Sequence, residues 1–308
     1  MGEYKYIYGP VPSRRLGISL GISPVEKKSC NYSCIYCQLG RTNCMLNNRK
    51  EFFPVEDIFD ELDGFLVNGV ELDVVTIVGE GEPTLYSDLG QLIAGIKKRT
   101  DKPIVVITNG ALLSEEEVRE DLKGADIVLP SLDAYDEESF RKINRPHGKI
   151  EFEKSYEGLV QFSKTYKGNL WLETMLIKGI NDDVQSLLKL KELMGEINYQ
   201  RLYINVPVRP PAENDVAQPS EENIKNAINI LGGVAIDSLV SKGFYSDIED
   251  DYKAVLSIIG RHPMNQHEIS GFLEMRKCKK QEEIFKVLVQ DDDVEIISYK
   301  GYNTYRLV

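Results

Sequence analysis

The sequence predicts an α/β fold: a partial (β/α)6 parallel barrel with a C-terminal winged-helix-like α+β domain. Between Leu16 and Val206, β-branched runs alternate about six times with segments whose apolar residues recur at helical spacing, the pattern of a parallel sheet with right-handed crossovers. That is too few units to close an eight-fold barrel, so an open one is expected, with functional loops at the C-terminal strand ends. From Tyr252 the texture changes to three helices and a β-hairpin in under 60 residues.

The chain begins with a loop-like stretch, Tyr8-Gly9-Pro10-Val11-Pro12-Ser13-Arg14-Arg15. Leu16 to Ile22 alternates small and apolar residues, as a buried strand near a ligand does. A loop carrying Cys30, Cys34 and Cys37 follows. Val55, Ile58, Phe59, Leu62 and Leu66 mark a helix over 55–67, and 73–79 is the second strand. Helix 89–96 leads to strand 103–108. Ser114 with Glu117 forms a capping-box pattern that starts the next helix. Strand 125–129, helices 136–143 and 151–166, strand 170–177, helix 184–194 and strand 201–206 complete the series.

A proline-rich stop at 207–212 ends the barrel domain, residues 1–212. Residues 213–250 read as a connector that packs against the barrel, with a helix from about Pro219 to Leu231 and an acidic run, Asp247 to Asp251, that is a solvated surface. The last domain, 251–308, places helices before Gly260, after the capping-box pair Asn265 and Glu268, and over 280–289. Strands 294–299 and 302–307 meet at Lys300-Gly301.

A net charge of −12 over 308 residues repels phosphate backbones over most of the surface. DNA is therefore a poor partner, the more so because the third helix of the C-terminal domain, the usual groove reader, carries Glu282 and Glu283. Arg276, Lys277, Lys279 and Lys280 leave a weak phosphate contact open. No apolar signal region opens the chain and no run of 18 apolar residues occurs, so no membrane association and a cytoplasmic location are expected. Five cysteines, an odd number and mostly clustered, suit a reducing compartment and a metal site better than disulfides.

The spacing of Cys30, Cys34 and Cys37 serves an iron–sulfur cluster; structural zinc with Cys44 as a fourth ligand is the alternative. Three thiolates leave one corner of a four-iron cluster unfilled. This Cys-x-x-x-Cys-x-aromatic-Cys loop after a first strand resembles the radical SAM superfamily. So does Gly79-Glu80-Gly81-Glu82-Pro83-Thr84-Leu85 after the second strand, similar to that family's Gly-Gly-Glu-Pro turn. Glu80 departs from the pattern, standing where the first glycine usually does. Pro12-Ser13-Arg14-Arg15-Leu16-Gly17, Tyr36 to Thr42 and Ile143-Asn144-Arg145-Pro146 add a resemblance to the branch that includes the wyosine-forming tRNA enzymes and uncharacterised relatives. Those enzymes carry a further cysteine set upstream, and no cysteine precedes Cys30.

The resemblance implies one 4Fe-4S cluster on Cys30, Cys34 and Cys37, with S-adenosylmethionine (SAM) chelating the fourth iron. It places Tyr36 near the adenine, and Gly81, Glu82 and Pro83 at the SAM amino group. Thr108, Asn109, Ser131, Asp133, Glu173, Met175, Asn205 and Pro207, at later strand ends, are candidate SAM contacts, with local backbone satisfaction as the alternative. Arg14, Arg15 and Arg41 are candidate substrate ligands, because the arginine fork suits carboxylate or phosphate. The expected activity is reductive SAM cleavage followed by hydrogen abstraction from a tRNA base, a peptide or a small cofactor precursor. A reductant such as ferredoxin or flavodoxin is the implied partner. The competing possibility is an iron–sulfur redox sensor with a DNA- or protein-binding winged helix. His147, His262 and His267 read as surface or packing residues. Cys44 and Cys278 receive no fixed role.

Overall fold

The computed structural model describes residues 4–236, 244, 246 and 248–308. The first half comprises β1 (Ile7–Ser13), β2 (Gly17–Ile22), β3 (Ser29–Cys30), β4 (Cys44–Met45), α1 (Val55–Leu66), β5 (Val74–Ile77), α2 (Leu89–Lys97), β6 (Ile104–Thr108), α3 (Glu116–Leu122) and β7 (Ile127–Pro130). There follow α4 (Glu137–Ile143), α5 (Phe152–Thr165), β8 (Asn169–Met175), α6 (Val184–Met194), β9 (Arg201–Asn205), α7 (Glu221–Leu231) and β10 (Val234–Ala235). The C-terminal module holds α8 (Asp251–Ile259), β11 (Met264–Asn265), α9 (Gln266–Met275), α10 (Gln281–Gln290), β12 (Val294–Tyr299) and β13 (Tyr302–Leu307).

The main sheet has the order β1-β2-β5-β6-β7-β8-β9-β10. Every pair in it is parallel except β1–β2. This largely parallel α/β sheet contains all six expected strands. Strand periodicity sorts its two faces. Leu20, Ile22, Val75, Ile77, Val106, Val128, Leu172 and Ile204 join the helices in the main core. Val74, Val105, Ile127, Leu129, Trp171 and Tyr203 form a smaller cluster on the other face. Two residues further along the same strands, that inner face turns polar at Thr76, Glu173 and Asn205. Alternation thus carries Glu173 and Met175, and Asn205 and Pro207, to the inner side.

Two expectations need correction. Residues 8–13 are strand rather than loop: β1 runs antiparallel to β2, from Ile7 opposite Ile22 to Ser13 opposite Gly17, with an irregularity around Gly9-Pro10 that made the stretch look like a turn. Ser114 caps nothing; it ends a short 3-10 turn, and α3 starts at Glu116 behind Glu115 with no side-chain cap. Arg119 instead donates to the Leu113 and Ser114 carbonyls at 2.7 and 2.8 Å. Within 213–250, Ile224, Ala227, Leu231 and Ala235 belong to the main core, and β10 extends the sheet, too short to show a sequence signal. Asp247 of the acidic run lies outside the described residues.

In the C-terminal module, Ala254, Ile258, Ile269, Phe272, Leu273, Leu288 and Tyr305 form a separate core. The capping box is formed as expected: Asn265 accepts from the His267 and Glu268 amides, and Glu268 accepts from the Asn265 amide. Lys300 and Gly301 both take positive φ, 52° and 80°, as a two-residue hairpin turn requires. β11 pairs with β13 to make the hairpin a three-stranded sheet. The module touches both sides of the open sheet. α8 packs on β1 and Arg261 donates to the Lys5 carbonyl at 2.8 Å, while the Tyr299 hydroxyl reaches the Pro207 carbonyl beyond β9, also at 2.8 Å. Among the described residues no helix is long and apolar enough to cross a membrane.

Candidate active site

The cysteine loop leaves β2 at its C-terminal end and is held by backbone hydrogen bonds as well as by the buried side chains of Tyr32 and Ile35. Ser33 N donates to the Asn144 and Arg145 carbonyls, Ile35 N to Ile143 O, and His147 N to Asn31 O. The Ile143–Pro146 segment is therefore the cradle of the loop, with Arg145 bent to φ +46°. Polar hydrogens converge on the sulfurs: Tyr32 N approaches Cys30 Sγ at 3.4 Å, Asn109 Nδ2 the same sulfur at 3.6 Å, and Asn144 Nδ2 approaches Cys34 Sγ at 3.6 Å.

Gly81 and Glu82 are pressed against this loop. A Cβ on Gly81 would overlap the Ser29 carbonyl oxygen and stand 2.8 Å from its carbon, so only glycine fits. Glu82 N donates to that carbonyl at 3.0 Å. The buried Glu82 carboxylate accepts from Thr84 N, Thr84 Oγ1 and Thr108 Oγ1 on Oε1, and from Asn109 N on Oε2 at 2.8 Å. Three donors crowd one oxygen and one reaches the other, which leaves Oε2 with capacity for a further donor. Pro83 opens the 3-10 turn after Glu82. Glu80 turns away and pairs with Arg261 of the C-terminal module, Nε to Oε2 at 3.3 Å.

Asp133 is also buried. It accepts from Tyr36 Oη, from Asn144 Nδ2 at 2.9 Å and from Met175 N at 2.8 Å, so it fixes the Tyr36 ring. Ser131 N donates to Thr108 O, and Leu132 N to Glu173 O. Asn109, Ser131 and Asp133 border a void of about 30 Å³ behind the loop.

Electrostatics sets what can sit here. Burial pushes the Cys30 thiol up to about 12, with the Glu82 charge adding to it. Burial raises Cys34 too, helped by Cys30 and Asp133, and burial also raises Cys37, Glu82 and Asp133. Five potential anions thus crowd one pocket, a donor set that a metal-bearing, cationic occupant would neutralise and deprotonate. Asn31 Nδ2 is buried beside Cys30 with no partner, although its Oδ1 accepts from Asn109. Among the described residues no three His, Cys, Asp or Glu side chains converge on a single metal ion. A cluster does not ask for that, since each thiolate binds its own iron. The residues fit a cluster.

Tyr36, Cys37, Glu173, Met175, Asn205 and Pro207 open on a cavity of about 400 Å³, which Arg14 and Arg15 also line. Arg15 is ion-paired to Glu173, which also accepts from Asn205 Nδ2 at 3.3 Å. Arg41 stands elsewhere: its side chain is 70% exposed and grips Glu213 with two 2.8 Å bonds. Cys44 is on β4, opposite Ser29, and Cys278 lies beside Asp251 in the C-terminal module. His262 packs against Phe244 and lines the cavity together with Arg209, Arg261 and Glu268. Nothing local in the sequence marks these four, because chain folding alone brings them to the cysteine loop.

Residues 28–190 match the family model described as Radical SAM superfamily. A UPF0026 protein of Methanocaldococcus jannaschii is 35% identical, covering 96% of this chain and 93% of its own. A UPF0026 protein of Synechocystis is 38% identical over 77% of this chain and 91% of its own. Among solved structures, a radical SAM methyltransferase from Sphaerobacter thermophilus superposes with a TM-score of 0.54 at 17% identity, covering 71% of this chain and 67% of that one. This chain belongs to the radical SAM superfamily, whose members use a 4Fe-4S cluster and SAM.

Proposed function

We propose that the protein cleaves SAM reductively and starts hydrogen abstraction from a substrate held in the 400 Å³ cavity. One observation carries this: the cysteine loop and the Glu82 turn are joined through Ser29 and form one anionic site. Cys30, Cys34 and Cys37 would hold the cluster, with the Tyr32 amide and the Asn109 and Asn144 side chains donating to their sulfurs. When bound, the cluster supplies the electron that splits SAM into methionine and a 5′-deoxyadenosyl radical. Glu82 Oε2 is the acceptor for the SAM amino group, and Tyr36, fixed by Asp133, flanks the adenine. Glu173, Met175 and Asn205 offer polar and thioether contacts from β8 and β9. Gly81 and Pro83 shape the turn, while Thr108, Asn109 and Ser131 act by holding Glu82 and the β7 end. Ferredoxin or flavodoxin is the class of reductant required.

We read the C-terminal module as winged-helix-like and as a cover of the cavity. Its β13 is turned toward the core, since Arg306 Nη1 donates to the Gln38 carbonyl at 3.2 Å.

Anaerobically reconstituted protein given dithionite and SAM is expected to form 5′-deoxyadenosine, and Cys34→Ser is expected to abolish it. Protein that holds four irons per chain yet never forms the nucleoside would sink the proposal.

A further inference from the structure

Four arginines line the cavity: Arg14, Arg15, Arg209 and Arg261. Three are engaged. Arg15 pairs with Glu173. Arg209 grips Glu268 through two bonds of 2.9 and 3.0 Å, and Arg261 meets Glu80 and the Lys5 carbonyl. Arg14, half-buried in the β1–β2 turn, has no hydrogen bond or ion pair to any of the described residues. With the other three guanidinium groups already paired, Arg14 is the one whose fork is open to an incoming anion.

The surroundings repeat that demand. His262 Nε2 lies 2.9 Å from Arg209 Nη2, so the imidazole accepts there. Burial, then Arg209, Arg14 and Arg15, hold His262 well below its ordinary value, and it stays neutral among the cations. Glu173 and Glu268 are the carboxylates facing this end, and both are already paired. In a chain of net charge −12, positive charge gathered in one concave site focuses anions into it.

We propose that the substrate is a small molecule bearing an oxyanion, a phosphate or a carboxylate, and that Arg14 grips it. The planar fork of arginine matches both groups bidentately, and the cavity falls in the small-molecule range of roughly 300–1,000 Å³. Arg14 precedes β2 and the cysteine loop follows it, so the oxyanion anchors the end of the substrate remote from the cluster. Remote anchoring of this kind supplies binding energy without touching the reacting atoms. The proposal rests on the radical SAM function for the fate of the substrate, not for its capture.

The test is calorimetric titration of the cluster-loaded protein with saturating SAM. Inorganic pyrophosphate and malonate are the probes, and glycerol is the uncharged control. One anion is expected to bind saturably, and which one does so separates a phosphate from a carboxylate substrate. Arg14→Gln should weaken that binding by about tenfold or more, with Arg14→Lys falling between. Lys154→Gln, which removes an equal charge from an exposed pair with Glu151, should leave it unchanged. Binding of neither anion to the wild type, or equal binding by Arg14→Gln, overturns the proposal. If Arg14→Gln does not fold, Arg14→Lys decides alone: it keeps the charge but lacks the fork, and wild-type affinity in it is equally fatal. 5′-Deoxyadenosine measured in the same preparation separates the two questions. Protein that forms it but ignores both anions loses only this inference, and protein that binds an anion but forms none loses only the cleavage activity.

Discussion

Gly81→Ala is the sharpest probe of the coupling between the two chemical motifs. The added methyl would overlap the Ser29 carbonyl oxygen, stand 2.8 Å from its carbon and 3.1 Å from Val25 Cγ2. The first two contacts are backbone, so no side chain can swing aside. Overpacking of this kind costs about 1–3 kcal/mol, and loss of the Glu82 N to Ser29 O bond adds about 0.5–1.5 kcal/mol. The expected destabilisation is therefore roughly 1.5–4.5 kcal/mol, concentrated where Ser29 leads into Cys30. Iron bound per chain after anaerobic reconstitution, affinity for SAM and thermal midpoint should all fall together. Gly64→Ala is the matched control: it lies within α1, with nothing within 4 Å of the new methyl, and replacing a helical glycine should add about 0.5–1 kcal/mol. A Gly81→Ala protein with wild-type midpoint and iron content would refute the joint.

Arg41, then Arg145, hold the Glu213 carboxyl down to about 2 from 4.5. A depressed carboxylate stabilises the fold above its ordinary value and loses that contribution as pH falls from 4.5 toward 2. Arg41→Ala should move the Glu213 titration, followed by NMR, to higher pH, less so in high salt because the pair is exposed; an unmoved curve counts against the pair. Asn265→Ala removes the side-chain arm of the α9 cap while leaving the residue 265 amide bonded to Glu268, and should cost about 0.5–2 kcal/mol, read as faster amide exchange in α9; unchanged exchange would show that the arm is idle. Arg261→Gln breaks the ties to Glu80 and Lys5, so exchange should rise in both β1 and α8. Equal protection in both would mean that the module is held by other contacts.

What was legible in the sequence was local. The six parallel strands, the three clustered thiols and the Gly81–Pro83 turn each announce themselves within a few residues, through period, spacing or backbone demand. Glu173, Met175 and Asn205 were placed at strand ends, where the cavity opens. What was not legible depends on contacts across the chain. Arg41 looked like a substrate ligand beside the cysteines, yet Glu213, 172 positions away, takes it. Asp133 looked like a ligand at a strand end, and the fold turns it inward onto Tyr36 and Asn144. Asn144 sat in a motif without a role until the cradle under Cys34 was seen. β1 was hidden by its own Gly9-Pro10 irregularity, and β10 by its two-residue length.

Glu80 draws these threads together. As a departure from the glycine usual at that place it looked like a weakness in the motif. In the fold its side chain points out of the Glu82 turn to meet Arg261, while its carbonyl accepts from Lys28 N at 2.5 Å, two residues before Cys30. The same turn therefore faces the cysteine loop through Glu82 and the C-terminal module through Glu80. A glycine at 80 would keep the first contact and lose the second. Because Arg261, His262 and Glu268 line the cavity that Tyr36 and Cys37 also line, the module is a wall of that cavity. That arrangement argues for a substrate small enough to lie inside, and it makes residue 80 the place where the C-terminal module meets the turn that carries Glu82.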